Sequence, residues 1–225
     1  MITIAIDGAS GAGKSTLSDA LAQRLGILHI DTGAMYRAVG LCALRKGIEP
    51  SDENAVVKLI ENGDCIVDVK HENNQQVTFL NGQDVNHRLR DEKVGLAAST
   101  VSRYKQVRRY LVKCQQEIAR QIPLVMDGRD IGTVVLPDAK AKIFLEASPE
   151  VRAYRRCKQI GIDPGSPQGK EVLTRLIARD EQDTKREVDP LKKAEDAVLI
   201  NTDHLTFEET LNLILQIVED TYGKQ

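Results

Sequence analysis

The stretch "GASGAGKST" (8–16) constrains this chain more than any other. It follows an apolar run, "ITIAID" (2–7). It leads into a segment whose Leu17, Ala20, Leu21 and Leu25 share one helical face, with Gly26 placed to cap it. Gly8, Gly13, Lys14 and Ser15 match G-x-x-x-x-G-K-[ST] in the strand–loop–helix context that the motif requires. Glycines let successive backbone N–H groups turn inward around phosphate oxygens, and the helix N-terminus adds partial positive charge. Lys14 reaches the β- and γ-phosphates, and the Ser15 hydroxyl suits a Mg²⁺ shell. A chain built this way binds a nucleoside triphosphate, and the open question is what receives the phosphate.

Four further apolar runs read as strands: "ILHID" (27–31), "PLVMD" (123–127), "AKIFLEA" (141–147) and "AVLIN" (197–201). They are nearly continuous in hydrophobicity, as parallel strands covered on both faces are. Helical patterns separate them, so the expected fold is a doubly wound α/β architecture around a five-stranded parallel sheet. Two stretches break the alternation. Residues 64–90 alternate apolar and polar residues between turn signals and read as a small antiparallel insertion. Residues 161–169, "GIDPGSPQG", read as a linker or a mobile lid loop between two basic helices. The length of 225 residues suits one domain with insertions. A net charge of −2 excludes a general affinity for nucleic acid or an anionic membrane, so any basic function must be local. No apolar stretch approaches a membrane span and no secretory signal opens the chain, so neither membrane insertion nor export is expected. Four scattered cysteines and four scattered histidines argue against a zinc site or a disulfide framework and fit reduced cytoplasmic thiols.

Acceptor candidates lie where ligands bind in doubly wound sheets, at the C-terminal ends of strands. "DTGAMYR" (31–37) ends one strand, with Asp31 or Thr32 as helix cap and Arg37 as a phosphate contact. "MDGRDIGT" (126–133) ends another. There Asp127 is either a ligand of metal-bound water or a strand-end structural acid. Arg129 offers a bidentate fork for phosphate, and Asp130 can accept from an amine. "SPEVRAYRRCK" opens with Ser148 as N-cap and Pro149 at the first helical position. Its spacing places Arg152, Arg155 and Arg156 on one face. "LTRLIARDEQDTKRE" aligns Arg175, Arg179, Asp183 and Arg186 on one stripe, with Val172, Leu173, Leu176 and Ile177 on another. Such charge runs are usually a solvated surface. Flanking a Gly/Pro loop, they read as a lid that meets substrate.

The motifs "IDGASGAGKST", "DTGAMYRAVG", "LAASTVSRYKQVRRYL", "MDGRDIGTVVLPDAKAKIFLEAS" and "RDEQDTKREVDPLKKAEDA" together resemble the bacterial cytidylate (CMP/dCMP) kinases of the P-loop nucleoside monophosphate kinase fold. The resemblance spans nearly the whole chain. It implies a single domain over 1–225, with a monophosphate-binding insertion at about 36–96 and a helical lid at about 152–172. It implies transfer of the γ-phosphate of ATP, with Mg²⁺, to CMP or dCMP. The enzyme would be a cytoplasmic monomer acting on small molecules. By motif, Gly8, Ala9, Ser10, Gly11, Ala12, Gly13, Lys14, Ser15 and Thr16 would hold ATP, with Ser15 and Asp127 at the metal. Thr32, Ser99, Arg108 and Asp130 would surround cytosine. Arg37, Arg129 and Arg186 would bind the acceptor phosphate, and Arg179 and Asp183 would meet the sugar. Lys14, Arg129, Arg37, Arg152 and Arg156 would stabilise charge during transfer. Lys105 stands where the family often has proline, and Thr184 where it often has serine.

Base choice has a physical reading as well. Cytosine offers an exocyclic amine where uracil presents a carbonyl, so a carboxylate at Asp130 favours CMP over UMP. The competing readings are a P-loop kinase for another small acceptor, such as shikimate or dephospho-coenzyme A, and a nucleotide-dependent switch.

Overall fold

The computed structural model describes residues 1–72 and 75–223. The chain begins with β1 (Thr3–Gly8), α1 (Lys14–Leu25), β2 (Leu28–Asp31), α2 (Thr32–Arg45), α3 (Glu53–Glu61), β3 (Val67–Glu72), β4 (Gln75–Leu80) and β5 (Gln83–Asp84). It continues through α4 (Glu92–Val101), α5 (Lys105–Ala119), β6 (Leu124–Gly128), a π-helical turn (Ile131–Val135) and β7 (Ala141–Glu146). It ends with α6 (Pro149–Ile160), α7 (Pro167–Lys185), β8 (Val198–Asn201) and α8 (Phe207–Tyr222). All five apolar runs form strands. Among the described residues there is a five-stranded sheet and a three-stranded one. The chain divides into two units, Met1–Ile27 with Leu124–Gln225, and Leu28–Pro123.

In the first unit β1 is central. It pairs in parallel with β6, Asp7 opposite Gly128, and with β7, Gly8 opposite Leu145. β8 pairs in parallel with β7. Ile4, Ile6, Val125, Ile143 and Leu145 are buried against Leu17 and Leu21 of α1 and Leu211, Ile214 and Val218 of α8. Each such aliphatic side chain contributes about 1.5–3 kcal/mol by leaving water. The ends of α1 and α8 follow local chemistry. Gly26 takes the left-handed conformation at the end of α1. Thr206 and Glu209 form a reciprocal capping box at the start of α8.

β8 departs from the sequence reading. Its run looks like a strand covered on both faces, yet Val198 and Leu199 are 44% and 49% exposed and only Ile200 is buried. The loop before α7 is also shorter than read. Ser166 accepts from the N–H of Gly169 and Pro167 takes the first turn, so helix begins inside "SPQG".

In the second unit β3 and β4 pair antiparallel from Val67 opposite Leu80 to Glu72 opposite Gln75, and β5 adds to β4. This is the expected antiparallel insertion; its Asn73 and Asn74 lie outside the described residues. Val67 and Leu80 join a core with Met35, Val39, Val56, Val94, Val107 and Leu111 from the surrounding helices. α2 and α4 approach so closely that a Cβ on Gly40 would sit 2.8 Å from the Ala98 nitrogen.

Candidate active site

The phosphate loop is shaped by its glycines. A side chain at Gly8 would run into the Leu145 carbonyl, so only glycine lets β1 and β7 keep their register there. Gly13, at φ 87°, turns the chain into α1 through the left-handed region. Lys14 opens α1 almost fully buried, and its Nζ donates to the Ala9 carbonyl at 2.8 Å. Burial, then the charge of Arg129, pulls the Lys14 pKa down to about 7. Ser15 Oγ donates to Asp127 Oδ2 at 3.0 Å, which joins the loop to the end of β6.

Beyond β6 the acids and arginines interlock. Arg129 Nε donates to Asp183 Oδ2 at 2.8 Å and its Nη1 to the Gly128 carbonyl at 3.3 Å, which leaves Nη2 without a protein partner among the described residues. Burial opposes the Arg129 charge, but Asp183, Asp127 and Asp180 hold its pKa above the ordinary value. Burial likewise opposes the Asp183 charge, but Arg129, Arg179 and Arg186 hold that carboxyl below the usual range. Arg186 Nη2 stands 3.4 Å from Asp130 Oδ1, and its Nε donates to the Asp189 carbonyl at 2.6 Å. Arg186 reaches this position from outside the helix. α7 stops at Lys185, and Arg186 is extended at φ −61°, ψ 144°, so the single helical stripe of Arg175, Arg179, Asp183 and Arg186 is not formed. Arg175 instead pairs with Glu171 on the exposed side at 2.6 Å. The apolar stripe beside it is shallow: Val172, Leu173 and Leu176 are half-buried and Ile177 is exposed.

The three α6 arginines do not act from one face. Arg152 is buried, donating Nε to the Ala147 carbonyl and Nη1 to the Ser10 carbonyl, both at 2.9 Å, and pairing with Asp180 at 2.6 Å. Arg155 donates to the Thr202 hydroxyl at 3.0 Å and the Thr202 carbonyl at 2.6 Å. Arg156 is exposed and donates to Gln159 Oε1 at 2.8 Å. The side chains separate because the phosphate loop, the end of β8 and α6's own surface each offer an acceptor. An open cleft of about 480 Å³ adjoins Arg152, lined by Ala9, Glu146, Ser148, Asp180 and Asp203.

The second unit carries the other candidates. Asp31 caps α2, accepting from the Ala34 N–H at 3.1 Å. The Gln76 side chain grips the Asp31 main chain, accepting from its N–H at 2.7 Å and donating to its carbonyl at 3.2 Å. Thr32 is thereby held, buried, at the first position of α2. Arg37 donates to the Leu89 carbonyl at 3.0 Å. It also packs on Gly95, where a Cβ would come within 2.8 Å of its Nη1. Arg108 is 1% exposed, lies over the Tyr36 ring at 5.4 Å and donates to the Ser102 carbonyl at 3.2 Å. Ser99 is half-buried on α4, its carbonyl accepting from the Ser102 hydroxyl at 2.9 Å.

Within the first unit, Lys14, Ser15, Asp127, Arg129, Asp130, Arg179, Asp183 and Arg186 form one electrostatic neighbourhood; Arg155 and Arg156 have partners outside it. Two further acids carry no role assigned by motif. Asp180 receives Arg152. Asp7 accepts from the N–H groups of Ile131 at 2.8 Å and Gly132 at 2.7 Å. Its signal is the repeated strand ending, "IDG" in β1 and "MDG" in β6.

The family described as "Cytidylate kinase" matches residues 4–220. The chain is similar to a cytidylate kinase of Caldicellulosiruptor bescii, 48% identical over 219 residues that cover 96% of this chain and 95% of that one. It is also similar to a cytidylate kinase of a Geobacillus species, 46% identical over 223 residues that cover 99% and 98%. Among solved structures, a gluconokinase from Sinorhizobium meliloti shares the fold with a TM-score of 0.50 at 16% identity, covering 97% of this chain and 92% of that one.

Proposed function

The chain belongs to the cytidylate kinase family, and from that premise we propose that the interlocked arginines and acids beyond β6 form the acceptor end of its reaction. The activity is that of a (d)CMP kinase: the γ-phosphoryl group of ATP passes to the phosphate of CMP or dCMP, giving ADP and CDP or dCDP. The observation that carries the assignment is the double pairing of Arg129 with Asp183 and Arg186 with Asp130. These are cations that an acceptor phosphate can share and an acid that an amine can reach.

The acceptor phosphate is already an anion at neutral pH and needs no strong general base. Catalysis reduces to alignment and charge stabilisation. Arg129 presents Nη2 to the acceptor phosphate while Asp183 holds its Nε edge. Arg186 shares that phosphate, and Arg179 and Asp183 take the sugar; in the second unit, Arg37 is the candidate phosphate contact. Lys14, with its pKa near 7 from burial and the Arg129 charge, keeps its proton once phosphate charge lies beside it. Residues 8–16 cradle the triphosphate, and the cleft beside Arg152 receives the donor base. Asp130 reads the amine of cytosine; in the second unit, Thr32, Ser99 and Arg108 are the candidate base contacts.

Ser15 and Asp127 fit a Mg²⁺ ion. They are hard oxygen donors, already 3.0 Å apart. No group of three or more His, Cys, Asp or Glu able to hold a metal occurs among the described residues, and Mg²⁺ shared with phosphate oxygens and water needs none. When bound, the ion offsets negative charge on the transferring phosphoryl oxygens.

We read the chain as one kinase domain with a helical lid at about 152–172, acting as a monomer. The four cysteines are free thiols, which supports a reducing cytoplasmic setting. ADP production measured in parallel with CMP, dCMP, UMP and AMP tests the activity. The expected order places CMP and dCMP well ahead of the others. ATP consumption indifferent to every monophosphate would favour a nucleotide-dependent switch instead.

A further inference from the structure

A helical turn begins with backbone N–H groups that nothing inside the turn accepts. The residue before the π-helical turn is Asp130, and aspartate in that position ordinarily bends its own carboxylate over those N–H groups. Asp130 makes no such capping bond, and its Oδ1 lies toward Arg186. The orphan donors go to another strand. Asp7 Oδ1 accepts from Ile131 and Oδ2 from Gly132. Asp7 reaches them because its register partner across the sheet is Gly128, three residues before the turn.

We propose that Asp7 is a positioning residue for recognition of the acceptor base: by capping the turn from β1, it releases the Asp130 carboxylate to face Arg186 and the substrate. Two consecutive N–H groups need two acceptor oxygens in one plane, which a carboxylate provides and an amide does not. Without them, Asp130, as the residue before the turn, is in the position from which an aspartate ordinarily caps such N–H groups. The arrangement opposes the charge on Asp7. The side chain is 4% exposed, and burial, with Asp130 nearby, raises its pKa to about 6 despite both N–H bonds and the charge of Lys14.

The inference rests on the reading of Asp130 as the contact to cytosine, and the experiment separates the two. kcat and KM for CMP and UMP are measured in the wild type, Asp7→Asn, Asp130→Ala and the double variant. Asp7→Asn should narrow the CMP-over-UMP ratio of kcat/KM roughly tenfold, chiefly through KM for CMP, with KM for ATP changed less than about twofold. Because Asp7 acts through Asp130, the double variant should discriminate no worse than Asp130→Ala alone. An unchanged ratio in Asp7→Asn, or effects that multiply in the double variant, overturns the inference. An unchanged ratio in Asp130→Ala sinks the reading beneath it. Should Asp7→Asn fail to fold, Gly132→Ala decides. Its methyl would lie 3.4 Å from Asp7 Oδ2 and 3.2 Å from Lys142 Cδ, so it should narrow the ratio in the same direction, and an unchanged ratio counts against the proposal.

Discussion

Two clusters of arginine in the same unit differ in the balance of their partners: each uses main-chain carbonyls, but carboxylates weigh most beyond β6 and carbonyl and hydroxyl oxygens on α6. Beyond β6, Arg129 and Arg186 face the carboxylates of Asp183 and Asp130. On α6, Arg152 spends Nε and Nη1 on the carbonyls of Ala147 and Ser10, and Arg155 spends its donors on Thr202. A carboxylate is an anion whose place a phosphate oxygen can share. A main-chain carbonyl belongs to the fold and cannot be exchanged without moving it. The first cluster is therefore suited to receive a charged ligand, and most of the second is suited to brace what receives it. Arg152 spans both roles, since it grips the phosphate loop with one edge and Asp180 of α7 with the other.

The contrast should break most visibly at Arg129. Arg129→Ala removes the open Nη2 together with the partner of Asp183. kcat/KM for CMP should fall on the order of 10³-fold, the scale seen when a pre-organised charge-stabilising donor is lost, while ATP binding measured by titration persists. Stability should drop as well, by about 2–3 kcal/mol, because Asp183 stays buried with one cation fewer. Turnover like that of the wild type would mean that the carboxylate-paired cluster is scaffold.

Arg152→Lys comes next. Lysine keeps the charge but replaces a planar fork with a point charge, and three partners on two sides cannot all be met. Melting should shift by the equivalent of about 2 kcal/mol, and KM for ATP should rise several-fold with KM for CMP less affected. If both melting and KM for ATP stay put, Arg152 is not the brace of the phosphate loop.

Much of this was legible in the sequence, for reasons that also mark where legibility ends. The phosphate loop, the caps at Asp31 and Ser148, and the antiparallel insertion are local patterns, written in residues a few positions apart. The Arg129–Asp183 pair joins residues 54 positions apart, and motif order alone does not make them partners. Helical spacing puts Arg152, Arg155 and Arg156 on one face, but their side chains go to different partners, because their destinations depend on which acceptors surround α6. The same spacing puts Arg186 on a stripe with Arg179 and Asp183, because periodicity does not announce that α7 ends one residue earlier. An apolar run likewise does not say whether its strand is central or peripheral, and β8 leaves Val198 and Leu199 exposed. Asp7 was visible as the acid of "IDG", but its meaning needed the register that sets it beside Gly128.

Arg156 is where the comparison can be sharpened with the smallest disturbance. It is exposed, and its partner is Gln159 one turn along the same helix, neither a carboxylate nor a carbonyl of the phosphate loop. Arg156→Ala should therefore change stability by less than about 0.5 kcal/mol, so any change in rate cannot be charged to the fold. A lid arginine that joins the phosphates only on closure should lower kcat several-fold at unaltered melting temperature, since its contribution arises in the closed state. Steady-state kinetics beside a thermal melt reads both quantities. An unaltered kcat would make Arg156 a solvated surface charge, and the arginines that act on phosphate would then be those beyond β6.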